Sequence, residues 1–405
     1  MKKIKACRSC GATEFIPVLN FGQSPLVNSL LLPEDFGTEK TYPLKVSQCV
    51  ACHLVQVVDN ISGQKIYRDQ DYLYFSSDMP GLSDYFADFA VEVKALMNEK
   101  ELIVEIGSND GIFLQHFKER YTILGVDPST NVVVRALKEG VPTVSDFFSE
   151  RLAKSIVKYY GKAKVIAGSN CIAHLEDLHD LLKGVVLLLD ENGVFVVECN
   201  YWGGMVENAN YSLIYHDHFS YFTAQVWADI MEKYGLEPFD AVVTPAQGGS
   251  LRIYFDFKGK RGQTNRLVEM LKKEEADKLN SELAVKAYQF KVKKSVKKLK
   301  KLIDNLKVDG KRIAGYGAAA KGFSALQLAK IGAETIEYFV DDSPAKQGKF
   351  APVSHIPVIS RAEAESKLPD YFLISAPNYS EVIIKKEQKF LENGGKFITI
   401  DGRII

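Results

Sequence analysis

Two short apolar runs, each ending in a glycine turn that opens a helix, set the strongest limit on how this chain folds. The first is Leu102-Ile-Val-Glu-Ile, which runs into Gly107-Ser-Asn-Asp-Gly111. The second is Arg312-Ile-Ala-Gly-Tyr, which runs into Gly317. Strand-like and helical stretches alternate after each. Tyr121-Thr-Ile-Leu-Gly-Val, Val165-Ile-Ala and Gly193-Val-Phe-Val-Val-Glu follow the first, and 336–340 and Tyr371-Phe-Leu-Ile-Ser follow the second. Helical stretches lie at 151–160, 175–182 and 318–330. The alternation predicts βαβ units, hence an α/β chain with two nucleotide-binding-type parallel sheets. At about 100–200 residues per domain, 405 residues hold both units and a third region.

That third region is N-terminal, dense in turn residues, and carries Cys7-Arg-Ser-Cys10 and Cys49-Val-Ala-Cys52. A C-x₂-C knuckle points two thiolates at one tetrahedral ion, so Cys7, Cys10, Cys49 and Cys52 are candidate ligands of a structural zinc with no open position. The 38 residues from Gly11 to Gln48 exceed a compact ribbon and must hold small strands of their own. Cys171 and Cys199 lie beside apolar strands and read as buried small hydrophobes. Six cysteines are too few for a disulfide scaffold, which fits a reduced, cytoplasmic setting.

Composition narrows the partners. Lys+Arg 51 against Asp+Glu 51 gives zero net charge, against nucleic acid as the main partner. The start MKKIKACRSC lacks a signal-peptide stretch, and no apolar run is long enough to span a bilayer. A helical stretch at 266–306 carries the stripe Tyr288, Val292, Val296, Leu299, Ile303 and Leu306, with lysines on its other faces, and reads as a solvated amphipathic helix.

The first glycine turn, Glu105-Ile-Gly-Ser-Asn-Asp-Gly111, is not G-x-G-x-x-G. Its form E-x-G-x-x-x-G resembles the first motif of S-adenosylmethionine (SAM) methyltransferases. Its acids suit a ligand bearing an ammonium group and would repel a pyrophosphate. Glu105, Gly107, Ser108, Asn109, Asp110 and Gly111 are therefore candidate cofactor residues. Asp127 ends a second strand sixteen residues past Gly111, where an acid accepts both ribose hydroxyls. Asp146 and Phe147 end a third segment, where an acid and an aromatic meet adenine, and Asn170 by the fourth strand completes the set.

Tyr215-His-Asp-His-Phe-Ser-Tyr-Phe222 packs two histidines, an acid and two tyrosines into eight residues. On an extended segment His216 and His218 would share one face, with Tyr215, Asp217 and Phe219 on the other. Metal binding and a structural role are alternatives, but no further His or acid cluster at ligand spacing accompanies the pair. The favoured reading is acid–base chemistry, with a histidine removing a proton and tyrosine or histidine donors holding an oxyanion. His174, just after the fourth strand, is an additional donor.

Together these blocks resemble the SAM-dependent sugar C-methyltransferases that act on nucleotide-linked 4-keto-deoxysugars. The resemblance spans the whole chain and rests on the four paired cysteines, EIGSNDGIFL at 105–114, NCIAHLEDL at 170–178, YHDHFSYF at 215–222, GGSLRIY at 248–254, GYGAAAKG at 315–322 and DDSPAKQGK at 341–349. It implies a zinc-binding domain at 1–80, a Rossmann-like SAM methyltransferase domain at 81–255, and a second Rossmann-like domain at 256–405 that holds the nucleotide sugar. It also implies His218 as base, with Tyr215, His174 and either Tyr72 or Tyr74 around the sugar, and Asp217 or a neighbour orienting the imidazole. Lys321 and Lys346 are candidate diphosphate partners, with Tyr316, Ser250 and Arg252 as further substrate contacts. Two departures stand out: Asp217 where the family usually has Glu, and Phe323 where it often has Asn. Oligomeric state stays open, with a monomer as the working expectation. The alternatives are a SAM-dependent O- or N-methyltransferase on another small acceptor, a zinc-containing nucleic-acid module, and an NAD oxidoreductase using Gly315 and Gly317.

Overall fold

The computed structural model describes residues 2–26, 29–68, 72 and 74–405. The insert between the cysteine knuckles folds as antiparallel strands Phe15–Pro25 and Thr41–Cys49, followed by Val55–Val57. The fourth strand of this small sheet is Ser220–Tyr221, from the histidine–tyrosine block, which pairs with Val55–Val57. An edge of unpaired backbone groups is thereby covered, and the cysteine region is locked to the segment that follows Tyr215-His-Asp-His218.

The central sheet has seven strands, placed in space as third, second, first, fourth, fifth, seventh and sixth by their order in the chain. Its first strand, Leu102–Ile106, is buried throughout, as expected of a parallel strand covered on both faces. Only Ser250–Phe257 runs antiparallel to its neighbours, and it continues two residues past the expected boundary at 255. The C-terminal sheet has five parallel strands in the order Val358–Ile359, Ile336–Val340, Ile313–Tyr316, Tyr371–Ile374, Lys396–Thr399.

The long helical stretch is two helices, Asn265–Ala276 and Glu282–Val308. The break falls where Ser281 caps the second helix, its side chain accepting from the Ala284 N–H at 3.4 Å. That second helix, about 40 Å long, buries Tyr288 and Val292 in the central core and Leu299, Ile303 and Leu306 in the C-terminal core, while Val296 packs against both. Its lysines face outward, as the sequence predicts. Among the described residues no helix is long and apolar enough to cross a membrane.

Candidate active site

The carboxyl ends of the two parallel sheets face one cavity of about 770 Å³. Ligands of open α/β sheets bind at such ends, where the strand order reverses. Here two reversal points share one space, closed from the side by Tyr67, Tyr72 and Tyr74 and by Tyr215, Asp217 and His218.

On the central-sheet side the wall includes Gly107, Asn109, Asp127, Phe147 and Asn170. Gly107 has φ +70°, and a Cβ there would lie 2.3 Å from the Cys171 Cβ, so no side chain fits the turn. Asp127 accepts from the Asn109 N–H at 3.0 Å and the Ser129 N–H at 2.8 Å. Each carboxylate oxygen keeps a second lone pair for a ligand hydroxyl. Burial raises the Asp127 carboxyl to about 6. Burial, reinforced by Asp127 and Asp110, also holds Glu105 well above the carboxylate range, and its Oε2 has no hydrogen-bond partner among the described residues. Asp127 and the glycine turn fit a ligand with a ribose, and the Asp127 carboxylate suits one that is cationic.

Of the candidate cofactor residues, Glu105, Ser108, Asp110, Gly111 and Asp146 lie outside that wall. Asp110 accepts from the N–H (3.0 Å) and hydroxyl (2.6 Å) of Ser77, and Asn109 accepts from the Ser76 N–H at 2.9 Å and donates to the Tyr74 carbonyl at 3.1 Å. Both therefore splint the tyrosine segment onto the glycine turn. Ser108 packs beneath the turn against Gly125, and Gly111 is required because a Cβ would meet Val141 at 2.8 Å. Asp146 is spent on Arg68 and Arg151, while its neighbour Phe147 faces the cavity. Cys171 also borders the cavity, correcting its reading as merely buried, whereas Cys199 is fully buried beside Trp227. Both thiols are pushed up by burial.

Residues 215–218 form a turn rather than an extended segment, with the His218 N–H bonded to the Tyr215 carbonyl at 3.1 Å. His216 and His218 consequently do not share a face. His216 Nε2 donates to the Pro43 carbonyl at 3.2 Å, fastening the block to the cysteine region. His218 enters the cavity, its ring 4.0 Å from Tyr215 and 4.8 Å from His174. Its Nδ1 lies 2.7 Å from the Leu213 carbonyl and 3.0 Å from the Asn200 amide. A carbonyl only accepts, so the ring proton sits on Nδ1 and Nε2 is bare. The orienting group is thus Leu213, and Asp217 makes no hydrogen bond to this imidazole. Burial pulls His218 well below its usual pKa, so it is neutral at pH 7. Burial, then the Asp217 charge, holds Tyr67, Tyr72 and Tyr215 above the phenol range and protonated. Tyr72 packs 5.4 Å from Tyr67, beside the histidines. Tyr74 instead receives a hydrogen bond from Gln247, on the C-terminal side.

Across the cavity, Gly317 (φ +91°) closes the second turn, and Asp341 accepts from the Ala318 N–H at 2.8 Å. Three lysines border the cavity. Lys346 binds Asp341 at 3.1 Å and Lys386 binds Asp342 at 2.6 Å. Among the described residues Lys321 has only neutral acceptors, the Gln247 carbonyl at 3.0 Å and side-chain oxygen at 2.9 Å, and burial lowers it to about 7. Of the other three expected substrate contacts, two lie away from the cavity. Arg252 is buried behind the wall, bonded to Glu198, Glu92 and Tyr85 and stacked on Phe89. Ser250 donates to the Ala246 carbonyl at 3.0 Å and to Asn170 at 3.3 Å, away from the cavity. Tyr316 borders the cavity, but its ring packs on Phe372 and its hydroxyl donates to Glu387.

The sulfur atoms of Cys7, Cys10, Cys49 and Cys52 lie within 4.8 Å of one another, with Cys7–Cys52 and Cys10–Cys49 both at 3.5 Å. Four sulfurs around one zinc sit about 3.8 Å apart, so the set fits. Cys7 also receives hydrogen bonds from the Gln56 amide and the Ser9 N–H, which support a thiolate.

The fold, the acid-lined glycine turn and the closed four-cysteine site define a SAM-dependent methyltransferase with a zinc-binding domain. The chain belongs to the C-methyltransferase family. Residues 7–67 match the family model "Putative zinc binding domain", 82–240 match "Methyltransferase domain" and 245–400 match "C-methyltransferase C-terminal domain". The C-methyltransferase NovU of Streptomyces niveus is 33% identical over 404 residues, covering 98% of this chain and 96% of that protein. Among solved structures, a SAM-dependent methyltransferase from Anabaena variabilis covers 47% of this chain and 89% of its own at 14% identity and TM-score 0.35. The plantazolicin methyltransferase BpumL in complex with SAH covers 42% and 82% at 12% identity and TM-score 0.35.

Sequence reasoning missed Tyr67, Asn200, Leu213 and Gln247. A backbone carbonyl carries no sequence signal. Tyr67 had one, since Tyr67, Tyr72 and Tyr74 fall within eight residues.

Proposed function

We propose that the chain methylates the 3 position of a nucleotide-linked 4-keto-deoxysugar, with His218 as general base. The carrying observation is the His218 imidazole, proton fixed on Nδ1 by Leu213 and bare Nε2 in a cavity shared by both glycine turns. A carbon becomes a nucleophile when an adjacent ketone acidifies its hydrogen. The C3′–H pair of electrons moves into the ring as the proton passes to Nε2, and the 4′ oxygen becomes an enolate oxygen. Tyr215 and His174 supply donors toward that oxygen. Bound SAM supplies an electrophilic methyl group, whose bond to sulfur breaks as the new carbon–carbon bond forms. Buried and neutral, His218 is ready to accept a proton at pH 7.

The C-terminal turn is assigned to the nucleotide. Lys321, without a carboxylate partner among the described residues, is the group that fits a diphosphate, and Lys346 is already engaged by Asp341.

The test replaces His218 with Asn and follows both methyl transfer and exchange of the 3′ hydrogen with deuterated solvent. Both rates are expected to fall about 10²–10⁴-fold, with SAM affinity retained. Unchanged exchange removes His218 from this role, and methylation of a 4′-hydroxyl sugar removes the enolate.

A further inference from the structure

The two cavity histidines are held by different partners on their far nitrogens, and this difference decides what each can do. His218 Nδ1 faces a carbonyl. His174 Nδ1 faces the hydroxyl of Tyr67 at 2.7 Å. We propose that Tyr67 is a positioning residue that fixes His174 as an Nε2–H donor, so that the two imidazoles form a complementary pair of proton acceptor and oxyanion donor. The inference rests on the enolate reading above for what the pair acts on, but not for its hydrogen-bond content.

The argument is one of satisfaction. The Tyr67 phenol is buried, and His174 is its one hydrogen-bond partner among the described residues. A neutral phenol has a single O–H, and a buried donor left without an acceptor is costly. If His174 Nδ1 carried the proton and donated to the phenol oxygen, the Tyr67 hydroxyl hydrogen would have no protein acceptor among the described residues. Tyr67 therefore donates to Nδ1. The His174 imidazole is neutral at pH 7, because burial lowers it to about 4, and its one proton must sit on Nε2. His174 lines the cavity, and Nε2 has no protein partner among the described residues. Had both histidines a bare Nε2, neither ring would offer a donor and of the two proposed donors Tyr215 alone would remain, and had both a protonated one there would be no base.

The contact is braced at both ends. Tyr67 closes the helix Gly63–Tyr67, whose first N–H, that of Gly63, donates to Glu176, two residues beyond His174. The Tyr67 and His174 rings lie 6.0 Å apart at 18°.

The test uses the full-length zinc-loaded protein labelled with ¹⁵N-histidine, with long-range ¹H–¹⁵N spectra identifying the His174 ring by its loss in His174→Gln. We expect the proton on Nε2 in the parent protein and a mixture of the two tautomers in Tyr67→Phe. In turnover of a nucleotide 4-keto sugar, Tyr67→Phe is expected to lower kcat about tenfold, a fraction of the about 10²–10³-fold cost of removing an oxyanion donor, with KM nearly constant. In the His174→Gln background, where an amide donates without tautomers, adding Tyr67→Phe is expected to cost less than about twofold. A proton on Nδ1 in the parent protein overturns the proposal. So does an equal loss from Tyr67→Phe in both backgrounds, which would mark Tyr67 as merely structural. The tautomer measurement needs no substrate. If it holds and no 4-keto sugar is methylated, the enolate reading fails while the hydrogen-bond assignment stands.

Discussion

The two glycine-turn lobes use one backbone device with opposite charge. In each, an acid ending the second strand accepts an N–H from the turn after the first strand and another two residues beyond itself. Asp127 holds Asn109 at 3.0 Å and Ser129 at 2.8 Å, and Asp341 holds Ala318 and Ser343 at 2.8 and 2.9 Å. The central lobe surrounds this device with further acid, the buried Glu105 and Asp110. The C-terminal lobe neutralises Asp341 with Lys346 and adds Lys321 without a carboxylate. Equivalent folds thus present to one cavity the Asp127 carboxylate at one end and the Lys321 ammonium at the other, which suits a ribose-bearing cation on one side and a diphosphate on the other.

The comparison breaks most sharply at Asp127. Asp127→Asn replaces two charged acceptors by one neutral acceptor, so a loss of about 1.5–3 kcal/mol, or roughly 10–150-fold in SAM affinity, is expected. Nucleotide-sugar affinity should stay constant, and titration calorimetry with each ligand separately decides. If both affinities fall together, the lobes are not independent. The mirror experiment is Lys321→Met, expected to weaken nucleotide-sugar binding about tenfold, or about 1.4 kcal/mol, while SAM binding is kept. Loss of SAM binding instead would reverse the assignment of the lobes.

The pH dependence sharpens the same contrast because burial shifts the two groups in ways that give opposite signs. Asp127 is raised to about 6, so it loses charge as pH falls through 6, and SAM affinity should weaken on the acid side. Lys321 is lowered to about 7, so it loses charge as pH rises through 7. Diphosphate affinity should then fall about fivefold between pH 7 and 8, with proton uptake on binding. Calorimetry in buffers of different ionisation enthalpy measures that uptake, and its absence would remove Lys321 from the diphosphate site.

What the sequence carried was local. Strand–glycine–helix order, the paired cysteines and the density of Tyr215-His-Asp-His218 were all legible, because each is a contiguous pattern with a physical cause. The missing information was in long-range pairing. Nothing near Arg252 in the chain signals that Glu92 and Glu198 would bury it 160 and 54 residues away. Likewise, the hinge of Residues 215–218 into a turn follows from the pairing of Ser220–Tyr221 with Val55–Val57 and the hold of Pro43 on His216, contacts made across the fold. The break at Ser281 was readable, since Asn280-Ser281 is a helix-capping signal and the apolar stripe begins only at Tyr288.

Lys346 gives the smallest effect and the finest discrimination. Lys321 and Lys346 both belong to blocks that resemble the family, and sequence alone ranks them equally. In the structure the Lys346 ammonium donates to the Ala318 carbonyl at 3.0 Å and to Asp341 at 3.1 Å, so its charge is already balanced by a carboxylate. Removing it leaves Asp341 to hold the turn through its two backbone N–H bonds, and no free cation is lost from the cavity. Lys346→Met should therefore weaken nucleotide-sugar binding by about threefold or less, well short of the loss of one charge-assisted hydrogen bond. A tenfold loss would mean that the ligand draws Lys346 away from Asp341, and the positive end of the cavity would then be a pair of lysines rather than Lys321 alone.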